Sequence, residues 1–300
     1  MVAAVFGMKD RAPRWAKDAA NGVTRRYAML TASSRPVPDF LVIGTKRGGT
    51  TSMFNYLLMH PGIRGLFPQV RGVKSTDYFF RNYGRGERWY RSHFPSESYR
   101  ALLRRRTGYR VLSGEASPYY VWDPRIAQRV RELAPEVRAI LLLRDPVERA
   151  WSHYQERVGN GLEPLAFPEA LAREEERTAG ELERMLADPG YYSPAFDYYS
   201  YRQRGVYVPQ LRNWYAQFPA EQVLVLRAED LYADVQRTFD RVTAFLSLPS
   251  FTLPTTRTFN ASTRAPMPVE VRRELAEFFA PHNAELESLV GFPLGWDDDR

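Results

Sequence analysis

The segment from Phe40 to Pro61 reads FLVIGTKRGGTTSMFNYLLMHP and gathers in one place the groups needed to hold an anion. Lys46 and Arg47 supply charge. Gly44, Gly48 and Gly49 let the backbone approach a ligand closely. Thr50, Thr51 and Ser52 place hydroxyls at the start of an expected helix, where free N–H groups and the helix dipole favour negative charge. The spacing from Gly44 to Gly49 matches the nucleoside-triphosphate loop GxxxxGK[ST], but Thr50 stands where that loop carries lysine. The cation has moved upstream. Such a loop should hold a phosphate-like group without the lysine that reaches β- and γ-phosphates, so ATP is a poor candidate donor.

A second segment, Ala139 to Tyr154 (AILLLRDPVERAWSHY), has the same logic. Ile140 to Leu143 is a short apolar run suited to a buried parallel strand. Arg144 follows at its carboxyl end, where open α/β sheets bind ligands. Asp145-Pro146 turns the chain into a helix, and Ser152 falls about two turns along it. An arginine fork and a serine hydroxyl can clamp one phosphate. The simpler alternative is an Arg–Asp pair capping a helix, with Ser152 exposed.

The elements that must position these groups follow from the apolar runs. Leu41-Val42-Ile43 predicts a first strand, Val111-Leu112 begins another that ends in Gly114-Glu115-Ala116-Ser117-Pro118, and Val223–Leu226 predicts a later one. Helices are expected over Pro124–Leu133, Tyr207–Phe218 and Val235–Leu246, with a Glu-rich helical part from Glu169 to Leu186. The fold class is therefore α/β, a central, mostly parallel sheet flanked by helices, P-loop-like in character. Residues 1–36 read as an N-terminal extension or surface helix, and 37–300 as one domain. Residues 155–203, charged and then tyrosine-rich, form a candidate acceptor wall or lid.

Composition limits the function. Three hundred residues are ample for one large core. There is no cysteine, which excludes disulfides, a thiol nucleophile and cysteine metal sites, and the four histidines have no metal-ligand spacing. No apolar run approaches the ~20 residues of a membrane span, nor does the N-terminus show a signal-peptide core. A cytoplasmic location is the expectation. The formal charge is +7, and only Lys9, Lys17, Lys46 and Lys74 are lysines among 42 basic residues. This arginine bias fits a GC-rich, bacterial genome, and the positive balance fits an anionic donor. No nucleic-acid recognition motif accompanies it.

Taken together, the two loops resemble those of sulfotransferases that use 3′-phosphoadenosine 5′-phosphosulfate (PAPS). GTKRGGTTS is similar to their 5′-phosphosulfate loop and LRDPVERAWSHY to their 3′-phosphate element. Later segments, among them Gly205–Phe218, Val223–Leu231, Phe245–Pro249 and Phe278–Leu286, resemble the heparan-sulfate-type enzymes and their bacterial relatives. The resemblance implies transfer of a sulfuryl group from PAPS to a hydroxyl, or an amine, of a carbohydrate, lipid or small-molecule acceptor, with no metal required. It implies donor binding by Lys46, Arg47, Gly48, Gly49, Thr50, Thr51, Ser52, Arg144 and Ser152, with Arg264 in a loop that closes over the nucleotide. Arg47 occupies the position where relatives carry a catalytic Lys or Arg, and Lys46 is the second cation. Two departures lie on the acceptor side. The family's Lys-Glu reads Lys74-Ser75 here, so the usual base is a serine, and Ala116 stands where relatives often have lysine. Asp77 and Glu115 remain as base candidates, Asp77 being preferred. The alternatives are a sulfotransferase-like protein that binds nucleotide or glycan without turnover, and a P-loop phosphoryl transferase.

Overall fold

The computed structural model describes residues 14–68, 73–257 and 266–296. Helix α1 (Arg14–Leu30) precedes strand β1 (Phe40–Gly44), helix α2 (Thr50–Leu57) and the short strand β2 (Ile63–Arg64). Helices α3 (Gly86–Arg91) and α4 (Glu97–Thr107) lead to β3 (Leu112–Ala116), then α5 (Ile126–Leu133), β4 (Arg138–Leu143) and the long α6 (Pro146–Gly159). Four short helices follow: α7 (Phe167–Ala172), α8 (Glu174–Thr178), α9 (Glu181–Ala187) and α10 (Pro194–Tyr199). The chain closes with α11 (Tyr207–Gln217), β5 (Val223–Arg227), α12 (Ala228–Ala233), α13 (Val235–Phe245) and α14 (Val269–Val290).

The strands form one five-stranded sheet in the order β2-β3-β1-β4-β5, and every pairing is parallel. The α/β expectation from sequence holds. Successive side chains of a strand point to opposite faces, and both faces are dry here. Leu41, Ile43, Leu141 and Leu143 join one core with Phe79, Tyr120 and Trp214. Phe40, Val42, Ile140 and Leu142 join another with Met53, Phe54, Leu231 and Phe239. Two-sided burial explains why β1 and β4 read as unbroken apolar runs rather than alternating ones.

The structure adds three details to these expectations. The Glu-rich stretch is helical as expected, divided among α7, α8 and α9. Gly180, at φ +72, starts α9 and interrupts the run. The N-terminal stretch contains a 17-residue helix that is anchored to the body: the Arg25 guanidinium donates to the carbonyls of Ser92 (2.6 Å) and Phe67 (2.9 Å). Helix α4, which carries a Ser96 N-cap with its hydroxyl accepting from the Tyr99 amide, is absent from the sequence reading.

Candidate active site

Strand β1 runs into the glycine loop at the carboxyl edge of the sheet. The Thr45 amide and hydroxyl both donate to the Leu142 carbonyl, at 2.8 and 3.0 Å, which ties the loop to β4. A Cβ at Gly48 would lie 2.6 Å from Thr45 Oγ1 and 2.7 Å from the Leu142 oxygen, so only glycine fits this approach. Gly49 caps α2 at φ +87. Arg47 is also left-handed, at φ +71, a conformation that costs a non-glycine residue about 1 kcal/mol or more. Lys46 is buried, while Arg47 and Thr51 are half-buried and Thr50 and Ser52 are buried beneath the loop. Lys74 reaches in from the segment before α3. Its Nζ donates to Thr51 Oγ1 at 2.8 Å and to Thr50 Oγ1 at 3.3 Å.

The second element meets this loop. Asp145 caps α6, its Oδ1 accepting from the Val147 amide at 2.8 Å, with Pro146 in the first turn. Asp145 thus caps the helix as the simpler alternative has it, but Arg144 pairs with Glu148 and Ser152 is fully buried rather than exposed. Its hydroxyl accepts from Arg47 Nε at 2.8 Å. Arg144 donates from Nη1 to the Arg47 carbonyl at 3.1 Å and pairs with Glu148 at 3.4 Å. Parallel pairing of β1 with β4 therefore brings Arg47, Arg144 and Ser152 to one spot. Beside them opens a cleft of about 640 Å³, lined among others by Arg144, Glu148, Tyr232, Arg272 and Trp296. Arg264 lies outside the described residues.

The cations are held by partners absent from the sequence reading. Lys46 Nζ lies 3.5 Å from Glu156 and 3.6 Å from Asp197. Arg47 pairs with Glu156 at 3.3 Å, and Arg157 with the same carboxylate at 2.9 Å. Asp197 also receives Arg204 at 2.8 Å and the Tyr192 hydroxyl at 2.7 Å. That hydroxyl in turn accepts from Arg81. Burial pushes Lys46 down to about 8, against the pull of Asp197 and Glu156. Burial likewise pushes Lys74 to about 8, opposed by Asp77 and Glu156. Burial alone would raise Asp197, but Lys46 and Arg204 hold it well below the usual carboxylate range. Glu156 lies one helical turn past Ser152, a spacing that could have revealed it. Asp197 and Arg204 carried no such signal, although Asp197 belongs to the 155–203 stretch and Arg204 follows it directly.

The two base candidates occupy different settings. Asp77 is half-buried at φ +52, and its Oδ1 accepts from the Ser75 hydroxyl at 2.6 Å while its own amide donates to Ser75 Oγ at 3.0 Å. Glu115 has no exposed surface. Its Oε1 accepts from the Tyr90 and Tyr120 hydroxyls, both at 2.8 Å, and its Oε2 from the Thr76 amide at 2.6 Å. This corrects the expectation that Glu115 is a base. With both oxygens committed inside the core it anchors the segment that carries Lys74 and cannot meet an acceptor. Burial raises its pKa to about 7 despite those three donors.

Basic side chains from two sheet-edge loops of an α/β protein gather over the N-terminus of a helix, an arrangement whose chemistry suits an anion. The chain belongs to the sulfotransferase family: residues 37–267 match the model of the sulfotransferase domain. It is similar to a sulfotransferase of Alicyclobacillus acidocaldarius, with 30% identity and a TM-score of 0.64 over 86% of this chain and 98% of that one. It is 27% identical to the human heparan sulfate glucosamine 3-O-sulfotransferase 3A1 over 90% of this chain and 64% of that protein. It is 26% identical to the bifunctional heparan sulfate N-deacetylase/N-sulfotransferase 1 of Caenorhabditis elegans, over 82% of this chain and 26% of that protein. The chain thus spans less than two thirds of the length of these two curated relatives. No helix among the described residues is long and apolar enough to cross a membrane.

Proposed function

We propose that this chain transfers a sulfuryl group from PAPS to a hydroxyl or amine of an acceptor, releasing 3′-phosphoadenosine 5′-phosphate. The observation that carries the reading is that Arg47 Nε donates to the Ser152 hydroxyl and Arg144 donates to the Arg47 carbonyl, which ties both basic loops together at the start of α2. In this reading Arg144 and Ser152 hold the 3′-phosphate. Lys46, Arg47, Thr50, Thr51 and the amides after Gly48 hold the 5′-phosphosulfate. The cleft beside Arg144, with Tyr232 and Trp296 in its wall, suits the adenosine between them. The donor set fits: three fixed cations and a helix N-terminus answer the charges of the nucleotide without a metal ion.

Sulfuryl transfer, like phosphoryl transfer, is an in-line displacement that relies on positioning and on charge placed in advance where it develops. Arg47 and Lys46 stabilise the oxygen that leaves, and Lys74, at the hydroxyls of Thr50 and Thr51, faces the transferring group. A carbohydrate acceptor is supported by the relatives whose names specify heparan sulfate, and these include both an O- and an N-sulfotransferase. The reading is tested by thermal unfolding with 3′-phosphoadenosine 5′-phosphate against 5′-AMP, ADP and Mg-ATP. The 3′-phosphorylated nucleotide at about 100 times its dissociation constant should add roughly 2.7 kcal/mol of stability. A shift with Mg-ATP instead would put phosphoryl transfer first, and no shift with any of the four would refute the donor assignment.

A further inference from the structure

The sulfuryl-transfer reading leaves one chemical role unfilled. Ser75 cannot take a proton at neutral pH, and Glu115 is sealed in the core. Asp77 is turned back onto its own tight turn, where Ser75 donates to it at 2.6 Å. Glu156 is different. Its side chain is 27% exposed, and its two oxygens lie 3.3 Å from Arg47 and 3.5 Å from Lys46. Those are the two cations the sulfonate needs, so in this structure the carboxylate sits where the reacting group would be held.

We propose that Glu156 is the proton acceptor of the transfer, released for that role when the donor's sulfonate takes Lys46 and Arg47 from it. The inference rests on the sulfuryl-transfer reading above. An anion that replaces a carboxylate on the same two cations must lie in contact with the displaced oxygens, which places Glu156 beside the sulfur and the incoming acceptor. Arg157 holds the carboxylate at 2.9 Å from the same helix and stays with it. The Arg157 guanidinium is itself fixed over the Tyr198 ring at 4.8 Å. As the acceptor oxygen forms its bond to sulfur, the bond from sulfur to the 5′-phosphate oxygen breaks and its electron pair stays on that oxygen. The acceptor proton passes to Glu156 and then to solvent.

The charges around Glu156 make the exchange directional. Lys46 and Arg47 face it from the glycine loop, Lys74 from the segment before α3, and Arg157 from its own helix. Burial would raise its pKa, but Lys46, Arg157 and Arg47 together hold it low. With the sulfonate neutralising two of these cations, its affinity for a proton rises. The group is a poor base before the donor binds and a better one afterwards.

The test is calorimetric titration of PAPS into the wild-type protein, Glu156→Gln and Asp77→Asn, with release of 3′-phosphoadenosine 5′-phosphate followed using water as the sulfuryl acceptor. Glu156→Gln should bind PAPS at least threefold more tightly, because no carboxylate competes for the cations. It should turn PAPS over about 100-fold more slowly, the usual range for a lost general base. Asp77→Asn, the competing base candidate, should lose less turnover than Glu156→Gln and should not tighten PAPS binding. Tight PAPS binding itself certifies that the Gln variant is folded. If that variant does not fold, Glu156→Asp, which keeps the charge but withdraws it by one methylene, should bind PAPS and lose turnover. Unchanged or weaker PAPS binding by a folded Glu156→Gln would overturn the proposal, as would wild-type turnover in it or the loss of turnover in Asp77→Asn alone. Failure of the wild-type protein to bind PAPS would instead overturn the sulfuryl-transfer reading.

Discussion

Glu115→Gln is a perturbation whose effect can be worked from the structure. Glu115 is fully buried, and its pKa is pushed from 4.5 up to about 7 by burial, with the bonds from Thr76, Tyr120 and Tyr90 pulling the other way. Between those two values the folded protein keeps a proton that the unfolded chain releases. The stability this group contributes is therefore greatest below 4.5, falls as pH rises and levels off above about 7. At about 1.4 kcal/mol for each tenfold change in proton affinity, the whole fall is about 3 kcal/mol. A glutamine turned with its NH2 toward the tyrosine hydroxyls, which rotate to accept, keeps the Thr76 bond and does not titrate. Urea unfolding of both proteins at several values between pH 5 and 8 gives the difference curve. Asp145, raised to about 6 by burial, acts in the same direction in both proteins and cancels. The variant should gain on the wild type by about 2 to 3 kcal/mol across that range. Parallel curves would mean that Glu115 does not titrate in the folded state, and the account of it as a buried, proton-holding anchor would be wrong.

Two further substitutions probe the donor site. Arg47→Ala should lower transfer at least 100-fold, the order of effect for removing one charge-stabilising donor, at a cost of about 1 kcal/mol in stability for the lost bond to the buried Ser152 hydroxyl. Product release at the wild-type rate would take Arg47 out of the mechanism. Arg144→Ala should weaken 3′-phosphoadenosine 5′-phosphate by 10- to 100-fold, about 1.5 to 3 kcal/mol for a charge-assisted bond, while 5′-AMP affinity stays the same in calorimetry. An equal loss for both nucleotides would show that Arg144 does not read the 3′-phosphate.

Much of this was legible in the chain because local rules and tertiary demand agree. The Gly44–Gly49 loop, the apolar runs of β1 and β4, and the Asp145-Pro146 helix start each encode their own geometry. Arg47, Arg144 and Ser152 could be named because each sits at a fixed offset from such a landmark. What stayed hidden is what folding alone creates. Asp197 meets Lys46 only because α10 packs against the loop, and no spacing announces it. Glu115 and Asp77 look alike as residues beside aromatic runs. One ends in the core and the other on a turn, a difference set by the inward face of β3. Gly180, left-handed at the start of α9, divides the Glu-rich helical stretch at a point that its composition does not announce.

The strand order also governs when the site can come into being. Its two halves are carried by β1 and β4, neighbours in the sheet, with the Arg47–Ser152 bond spanning 105 residues of chain. Such parallel pairings form late and slowly, because loop closure must precede any gain from contact. Until β4 docks on β1, Thr45 lacks the Leu142 carbonyl and the loop has no fixed shape. A folding intermediate with only the β1–α2 half should be blind to the nucleotide, and recovery of nucleotide binding should trail the recovery of helical signal during refolding. Nucleotide affinity would then report when β1 and β4 have paired, as well as measure the site.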